Sequence, residues 1–140
     1  MTNPTYSNII NAIDTIVGNV SGVVAHFKYE PQQMTAYPAV TIAPIGHSDK
    51  FASLRDTERT YSFMVRVWGQ MNDTREDTPV VIRDLADAII DALSSQANIS
   101  LGGLIAWSNM TEGKFVYVQK EASYYVAELT YTAVVNHSRY

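Results

Sequence analysis

Cysteine is absent from this 140-residue sequence, which excludes disulfide scaffolds, thiolate zinc sites and cysteine nucleophiles together. Long apolar runs are also absent, since no window approaches the ~20 apolar residues of a membrane-spanning helix. A signal peptide has a basic segment followed by an apolar stretch, and the start of this chain does not show that pattern. These absences predict a protein that is made and used in a cytosol-like space and has no membrane partner.

Clustered basic charge is missing as well. The ten lysines and arginines are scattered, and the formal net charge is -4. The nearest approach to a basic patch is Arg55 with Arg59, which Asp56 and Glu58 interrupt. Because binding to phosphates needs several lysines or arginines on one surface, no nucleic-acid partner is expected.

The sequence patterns of catalytic, cofactor and metal sites are missing too. The three histidines, His26, His47 and His137, have no Glu or His at ligand spacing. There is no Gly-x-Ser-x-Gly elbow, and Gly102-Gly103 lacks the Lys and Ser/Thr of a phosphate loop. We therefore expect no catalytic residue, no cofactor and no metal ion, and so no enzyme. A solvated helix face accounts for three aspartates at helical spacing, Asp84, Asp87 and Asp91.

Material for a hydrophobic core is plentiful. Hydrophobic residues make up 46% of the sequence and aromatic residues 11%, which is typical of a globular protein. A chain of this length buries roughly two-thirds of its unfolded surface in one core. We expect a single domain over residues 1–140.

Two segments carry apolar residues at spacings of three and four, which predicts a helix with one apolar stripe. The first covers residues 7–20, with Ser7 as its N-cap. The second begins at Thr78-Pro79, a cap residue followed by proline at the first helical position, and ends near Ser95.

Alternation of apolar and polar residues predicts the strands. Residues 58–70 form the clearest one, because Tyr61, Phe63, Val65 and Val67 recur with a period of two. The other predicted strands are residues 23–29, residues 37–45, a hairpin of residues 104–110 and 114–120 around Glu112-Gly113, and a long last strand over residues 124–135. The polar residues 46–57 are predicted to form a loop or a mobile hairpin tip.

This order of elements predicts an α+β fold: an antiparallel or mixed β-sheet of about four to six strands with two main helices packed on it. A doubly wound parallel sheet would need a helix after nearly every strand.

Several large or charged side chains lie at positions that the core does not obviously use, in the polar segment 46–57 and on the second face of two strands. Such residues are common in protein interfaces, so contact with another subunit is the expected role. The alternative is that the first helix covers this second face within one subunit. The candidate interface residues are Asp49, Lys50, Phe51, Arg55, Asp56, Met64, Trp68 and Tyr124.

The order of segments resembles the tail terminator proteins of long-tailed bacteriophages, also called tail completion or minor tail proteins. The resemblance is carried by residues 37–42, the loop after them, the alternating strand 59–68, the helix 83–93 and the long strand 127–135. It covers most of the chain and depends on pattern and order rather than on a catalytic motif.

The resemblance implies a virion protein that is assembled in the bacterial cytoplasm and located at the neck of the tail. It implies a homo-oligomeric ring, expected to be a hexamer, that caps the tail tube, stops its polymerisation and joins the tail to the head. Its partners would be other copies of itself, the tail tube protein and the head-tail connector protein. Closed rings need two different matching surfaces on each subunit, which we expect on strand edges and on residues 46–57.

Three other interpretations stay open. One is a phage head-completion or neck connector subunit, which is also a ring-former of this size. Another is a small-molecule-binding α/β domain with a pocket lined by Trp107, Tyr117 and Tyr125. The third is a chaperone or adaptor that acts as a monomer or dimer.

Overall fold

The helices and strands follow the chain in an order close to the predicted one. The computed structural model describes residues 3–34, 36–71, 77–119 and 122–138. Within them the elements are α1 (Tyr6–Gly18), β1 (Ala25–Phe27), β2 (Ala39–Phe51), β3 (Asp56–Met71), α2 (Asp77–Ser94), β4 (Trp107–Gln119) and β5 (Ser123–Ser138).

The strands form one mixed sheet in the order β1-β2-β3-β5-β4. The short β1 runs parallel to β2, and the other neighbouring pairs, β2 with β3, β3 with β5 and β5 with β4, are antiparallel. This arrangement confirms the predicted α+β class, a mixed sheet with two helices packed on it. In the described parts of the chain, no helix is both long and apolar enough to cross a membrane.

Both helices pack on the same face of the sheet, which we call the helix face; the opposite side is the outer face. Odd-numbered residues of β3 and β5 point toward the helices, as the two-residue period requires, and Phe63 and Tyr131 pair at the centre of the core. The helices contribute fully buried isoleucines, among them Ile13 of α1 and Ile89 of α2. The central strands are therefore fixed in register by the residues that they bury.

Glycine allows α2 to approach β3 closely. A Cβ atom at Gly69 would lie 2.6 Å from Cγ1 of Ile82, well inside van der Waals contact. Since Ile82 is fully buried, it has little room to move. Gly69 therefore sets the distance between this helix and the sheet.

The cap of α1 is Thr5, and the predicted cap Ser7 lies inside the helix. The Asn8 N–H donates to the Thr5 hydroxyl (3.2 Å) and the Thr5 N–H donates to the Asn8 side chain (3.0 Å), so each residue caps the other. Near the other end of α1, the carboxylate of Asp14 lies 2.7 Å from His26 Nδ1 and links the helix to β1. α2 likewise begins at Asp77, one residue before the predicted cap.

The structure corrects two predictions about strands: the hairpin alternative for residues 46–57 is right in kind but its tip is shorter than predicted, and the hairpin of residues 104–120 is wrong. Residues 46–51 and 56–57 belong to β2 and β3, so only residues 52–55 form the turn; a polar strand with both faces in water gives no alternation to recognise. Residues 107–119 form one strand instead of the predicted hairpin, because a β-bulge between Met110 and Glu112 reverses the alternation and resembles a turn. The predicted end of that hairpin, Lys120, lies outside the described residues.

Candidate assembly surface

The β2–β3 hairpin extends beyond the core as an arm, which we define as residues 46–60. It contains five of the predicted interface residues. Its two strands are paired from Gly46↔Ser62 to Phe51↔Thr57, so the arm is ordered by a continuous ladder. Most of its side chains are exposed or half-buried. The arm therefore offers a defined shape to a partner rather than a loose loop.

An ion pair stiffens the arm. Arg59 donates to both carboxylate oxygens of Asp49 from the opposite strand, at 2.7 and 3.0 Å. This hydrogen-bonded guanidinium lowers the pKa of Asp49, and the carboxylate raises that of Arg59. The Arg59 guanidinium also donates to the Tyr61 hydroxyl (3.4 Å). Asp49 is thus engaged within its own chain, which leaves neighbouring residues as the more available contacts.

The root of the arm is fixed to the start of the chain. The Tyr6 hydroxyl lies 2.8 Å from His47 Nδ1, and the Tyr61 hydroxyl donates to the carbonyl of Pro4 (3.2 Å). The Asn3 side chain bonds the backbone of Ser138 twice, accepting from its N–H (2.9 Å) and donating to its C=O (2.7 Å). These contacts hold the arm against the α1 entry and the end of β5.

The tip of the arm carries large apolar side chains in water. Leu54 is 81% exposed and Phe51 is 66% exposed. The Ser53 hydroxyl accepts from the N–H groups of Arg55 (3.2 Å) and Asp56 (3.0 Å), which closes the turn. Lys50 and Arg55 are exposed, whereas Asp56 is half-buried. An ordered tip with two exposed apolar residues has the composition of a docking point.

The outer face holds the other three predicted residues, and two of them are covered by their own chain. Trp68 is only 8% exposed, and its Nε1–H donates to the buried Thr41 hydroxyl (3.0 Å). Tyr124 is half-buried against the Trp68 ring, with centroids 5.9 Å apart, and against Tyr37. Burial and the Tyr124 hydroxyl raise the pKa of Tyr37 to about 12. Met64 is half-buried.

The cover over Trp68 and Tyr124 comes from residues 25–34 and from Tyr37 rather than from a helix. Phe27, Met34 and Tyr37 pack on the small cluster around Trp68 and Val126. Arg66 bonds Glu30 in the same segment, and it donates to Glu128 of β5 at 2.7 Å. The alternative that α1 covers this face is wrong, because α1 packs on the helix face beside α2.

The outermost strand, β4, exposes aromatic residues that the predicted interface did not include. Trp107, Phe115 and Tyr117 are 50%, 45% and 70% exposed. Phe115 stacks on Tyr125 with centroids 5.6 Å apart, so its ring is held in place while one side faces water. The alternation of Phe115 and Tyr117 in the sequence was the available signal, and the hairpin prediction obscured it.

The structure does not assemble the predicted aromatic pocket. Trp107 pairs with Val134 on the outer face, whereas Tyr117 contacts Tyr125 on the helix face, 5.0 Å between centroids. A shallow cleft of about 390 Å³ lies elsewhere, between the ends of α1 and α2, and none of its lining residues is ionisable. It is lined by Ile16, Asn19, Val20, Ala88, Ala92 and Asn98. Within the described ranges, no three His, Asp or Glu side chains group together as metal ligands.

Comparison with known proteins gives a similarity in fold. No protein-family model matches the sequence, and no curated protein matches it. Among solved structures, the fold is similar to a chain from the virion of a native gene transfer agent particle, with a TM-score of 0.58 and 17% sequence identity. The similarity covers 89% of this chain and 84% of that one. At this identity it establishes a shared fold.

Proposed function

We propose that this protein is a structural component of a phage-like virion, and that it acts as a ring-forming tail terminator. In this role it caps the tail tube, stops tube polymerisation and provides the surface that the head connector binds. It performs no catalysis. The observation that carries the proposal is the shared fold, along nearly the whole chain, with a subunit of a gene transfer agent virion.

The surface supports assembly as the mode of action. Two separated features each carry exposed large apolar side chains: the tip of the arm with Phe51 and Leu54, and the edge strand with Phe115 and Tyr117. Two different surfaces on one subunit are what a head-to-tail ring requires. The cleft between the helices has no charged or titratable group to orient a reacting substrate, which favours assembly over small-molecule binding.

The first test is the mass of the purified protein by light scattering, with negative-stain imaging, alone and after addition of tail tubes from the same particle. Rings, expected to contain six subunits, should dock on tube ends and halt the elongation of tubes by added tube protein. Rings that ignore tubes but bind the portal assembly would favour the head-completion role. A monomer that binds neither would refute both.

A pair of variants sharpens this test. Leu54→Ser removes the most exposed apolar side chain of the arm tip and should weaken docking on tubes or on the next subunit. Val80→Ser is the matched control, because Val80 is also exposed, at 44%, but lies on α2 away from the arm. Equal loss of assembly in both variants would show that the tip has no special role.

A further inference from the structure

We propose that neighbouring subunits join edge to edge, with β4 of one copy pairing antiparallel with residues 46–51 of β2 in the next copy. This inference rests on the proposed ring and identifies its two matching surfaces. The result would be a continuous sheet that runs around the ring.

The sheet has one long free edge on each side. On one side β1 pairs only with Ala39–Thr41, so residues 42–50 of β2 have no strand beyond them in the described chain. On the other side β4 is the outermost strand over all 13 of its residues. Half of the backbone N–H and C=O groups of an edge strand point away from its neighbour, ready to pair with another chain.

Strand direction makes these two edges compatible. β2 and β5 run in the same direction, because each is antiparallel to β3, and β4 runs opposite to β5. A neighbouring copy that keeps the same strand direction therefore brings its β2 antiparallel to β4. Each subunit then contacts one neighbour through β2 and the other neighbour through β4. This is the head-to-tail contact that closes into a ring.

Charge selects the register of this pairing. In a continuous sheet, the outer-face side chains of one strand lie opposite the outer-face side chains of the next. On the outer face, β2 carries Lys50, and β4 carries Glu112 and Lys114. Glu112 opposite Lys50 joins opposite charges. A shift of two residues would place Lys114 opposite Lys50, which joins like charges.

The same register brings the exposed aromatic side chains Phe115 and Tyr117 of β4 beside residues 45–47 of β2. Phe115 then lies opposite His47, and Tyr117 lies near Ile45, which is 56% exposed at the bulge in β2. Pro44, which has no N–H to donate, lies at the base of the segment and marks where pairing ends. The edges thus match in direction, charge and apolar content over about six residues.

Cysteine cross-linking tests the pairing directly, because the natural chain has no cysteine. The variant Lys50→Cys with Glu112→Cys places two thiols on directly opposed residues of adjacent copies, at a separation that a disulfide can span. Oxidation of assembled rings should give a ladder of covalent oligomers up to the ring size. Lys50→Cys with Lys114→Cys is the control, because its thiols lie two residues out of register and should cross-link far less.

The outcomes separate the pairing from the function. Rings that form normally but give no ladder would overturn the pairing and leave the terminator role intact. Covalent dimers from Glu112→Cys alone would also overturn it, since they show β4 paired with β4 in a two-fold dimer. Absence of any ring, with or without tubes, would refute the proposed function and the pairing with it.

Hydrogen exchange on the unsubstituted protein gives a second readout that needs no variant to fold. Backbone amides of residues 46–51 and of β4 should exchange more slowly in rings than in dissociated subunits. Amides of α2, which the pairing does not touch, should change little. Equal exchange of both edges in the two states would overturn the pairing.

Discussion

Replacement of Tyr131 by phenylalanine should stabilise this protein. Tyr131 lies at the centre of β5 with no exposed surface, and its hydroxyl has no hydrogen-bond partner in the described parts of the chain. The nearby Ser108 hydroxyl donates its own hydrogen bond to the carbonyl of Ile99 (2.9 Å). A buried polar group without a partner costs ~1–3 kcal/mol. Removal of the oxygen should therefore raise the free energy of unfolding by about 1 kcal/mol.

The same hydroxyl predicts a pH dependence. Burial raises the pKa of Tyr131 from 10.0 to about 12, and the nearby Ser108 hydroxyl, which does not reach hydrogen-bond geometry with it, lowers this pKa by a smaller amount. Between these values the unfolded chain loses the proton and the folded chain keeps it, so the wild type loses stability as pH rises. The stability advantage of Tyr131→Phe should therefore grow between pH 10 and pH 12, by on the order of 1 kcal/mol per pH unit.

Urea unfolding followed by circular dichroism measures both the gain in stability and its pH dependence. In thermal unfolding near neutral pH, Tyr131→Phe should raise the melting temperature by about 3 °C. Tyr29→Phe is the control, because Tyr29 is 61% exposed and its replacement should change stability by less than ~0.5 kcal/mol. If Tyr131→Phe instead destabilised the protein by about 1 kcal/mol or more, the hydroxyl would have to be hydrogen-bonded in the fold and the reasoning would fail.

Three further predictions test the core and the arm. Leu85→Ala should lower the free energy of unfolding in urea by ~2–5 kcal/mol, because Leu85 is buried. Asp84→Ala, on the solvent face of the same helix, should change it by less than ~0.5 kcal/mol. Equal losses in the two variants would contradict the orientation of α2. Gly69→Ala should lower the free energy of unfolding by ~1–3 kcal/mol, because the added Cβ collides with α2. An unchanged urea midpoint would show that the helix can shift. Arg59→Gln should raise the pKa of Asp49, as measured by NMR titration. In the wild type, the stability that this ion pair contributes is present above the carboxyl pKa of the unfolded chain. It is lost as the pH falls through the lowered pKa of the folded state.

The helices and the two central strands could be predicted from sequence because their burial is one-sided. The apolar stripe of α1 and the alternation in β3 each follow from one face in the core and one face in water. Their predicted ends differ from the structure by only a few residues, since capping contacts such as the Thr5–Asn8 pair decide them.

The arm and β4 could not be predicted because their stabilising interactions are not periodic in sequence. The arm is a paired hairpin held by the Asp49–Arg59 ion pair and by Tyr6, a residue 41 positions before His47. In β4, one bulged residue exchanges the two faces of the strand. Trp68 has the character of an interface residue, but residues from another part of the chain cover it, and no local pattern contains that information.

The double hydrogen bond between Asn3 and Ser138 has a practical consequence. It holds residue 3 beside residue 138, and Ser138 in turn pairs with Asp56 at the base of the arm tip. A fluorophore attached through the side chain of Ser138, whose backbone makes both bonds, would therefore emerge at this corner of the molecule, next to the tip. In a ring such labels would lie along one rim, so distances between labels on adjacent copies would report subunit number and spacing. The same proximity allows residues 3 and 138 to be joined by a short linker and the chain to be reopened elsewhere without breaking a strand of the sheet.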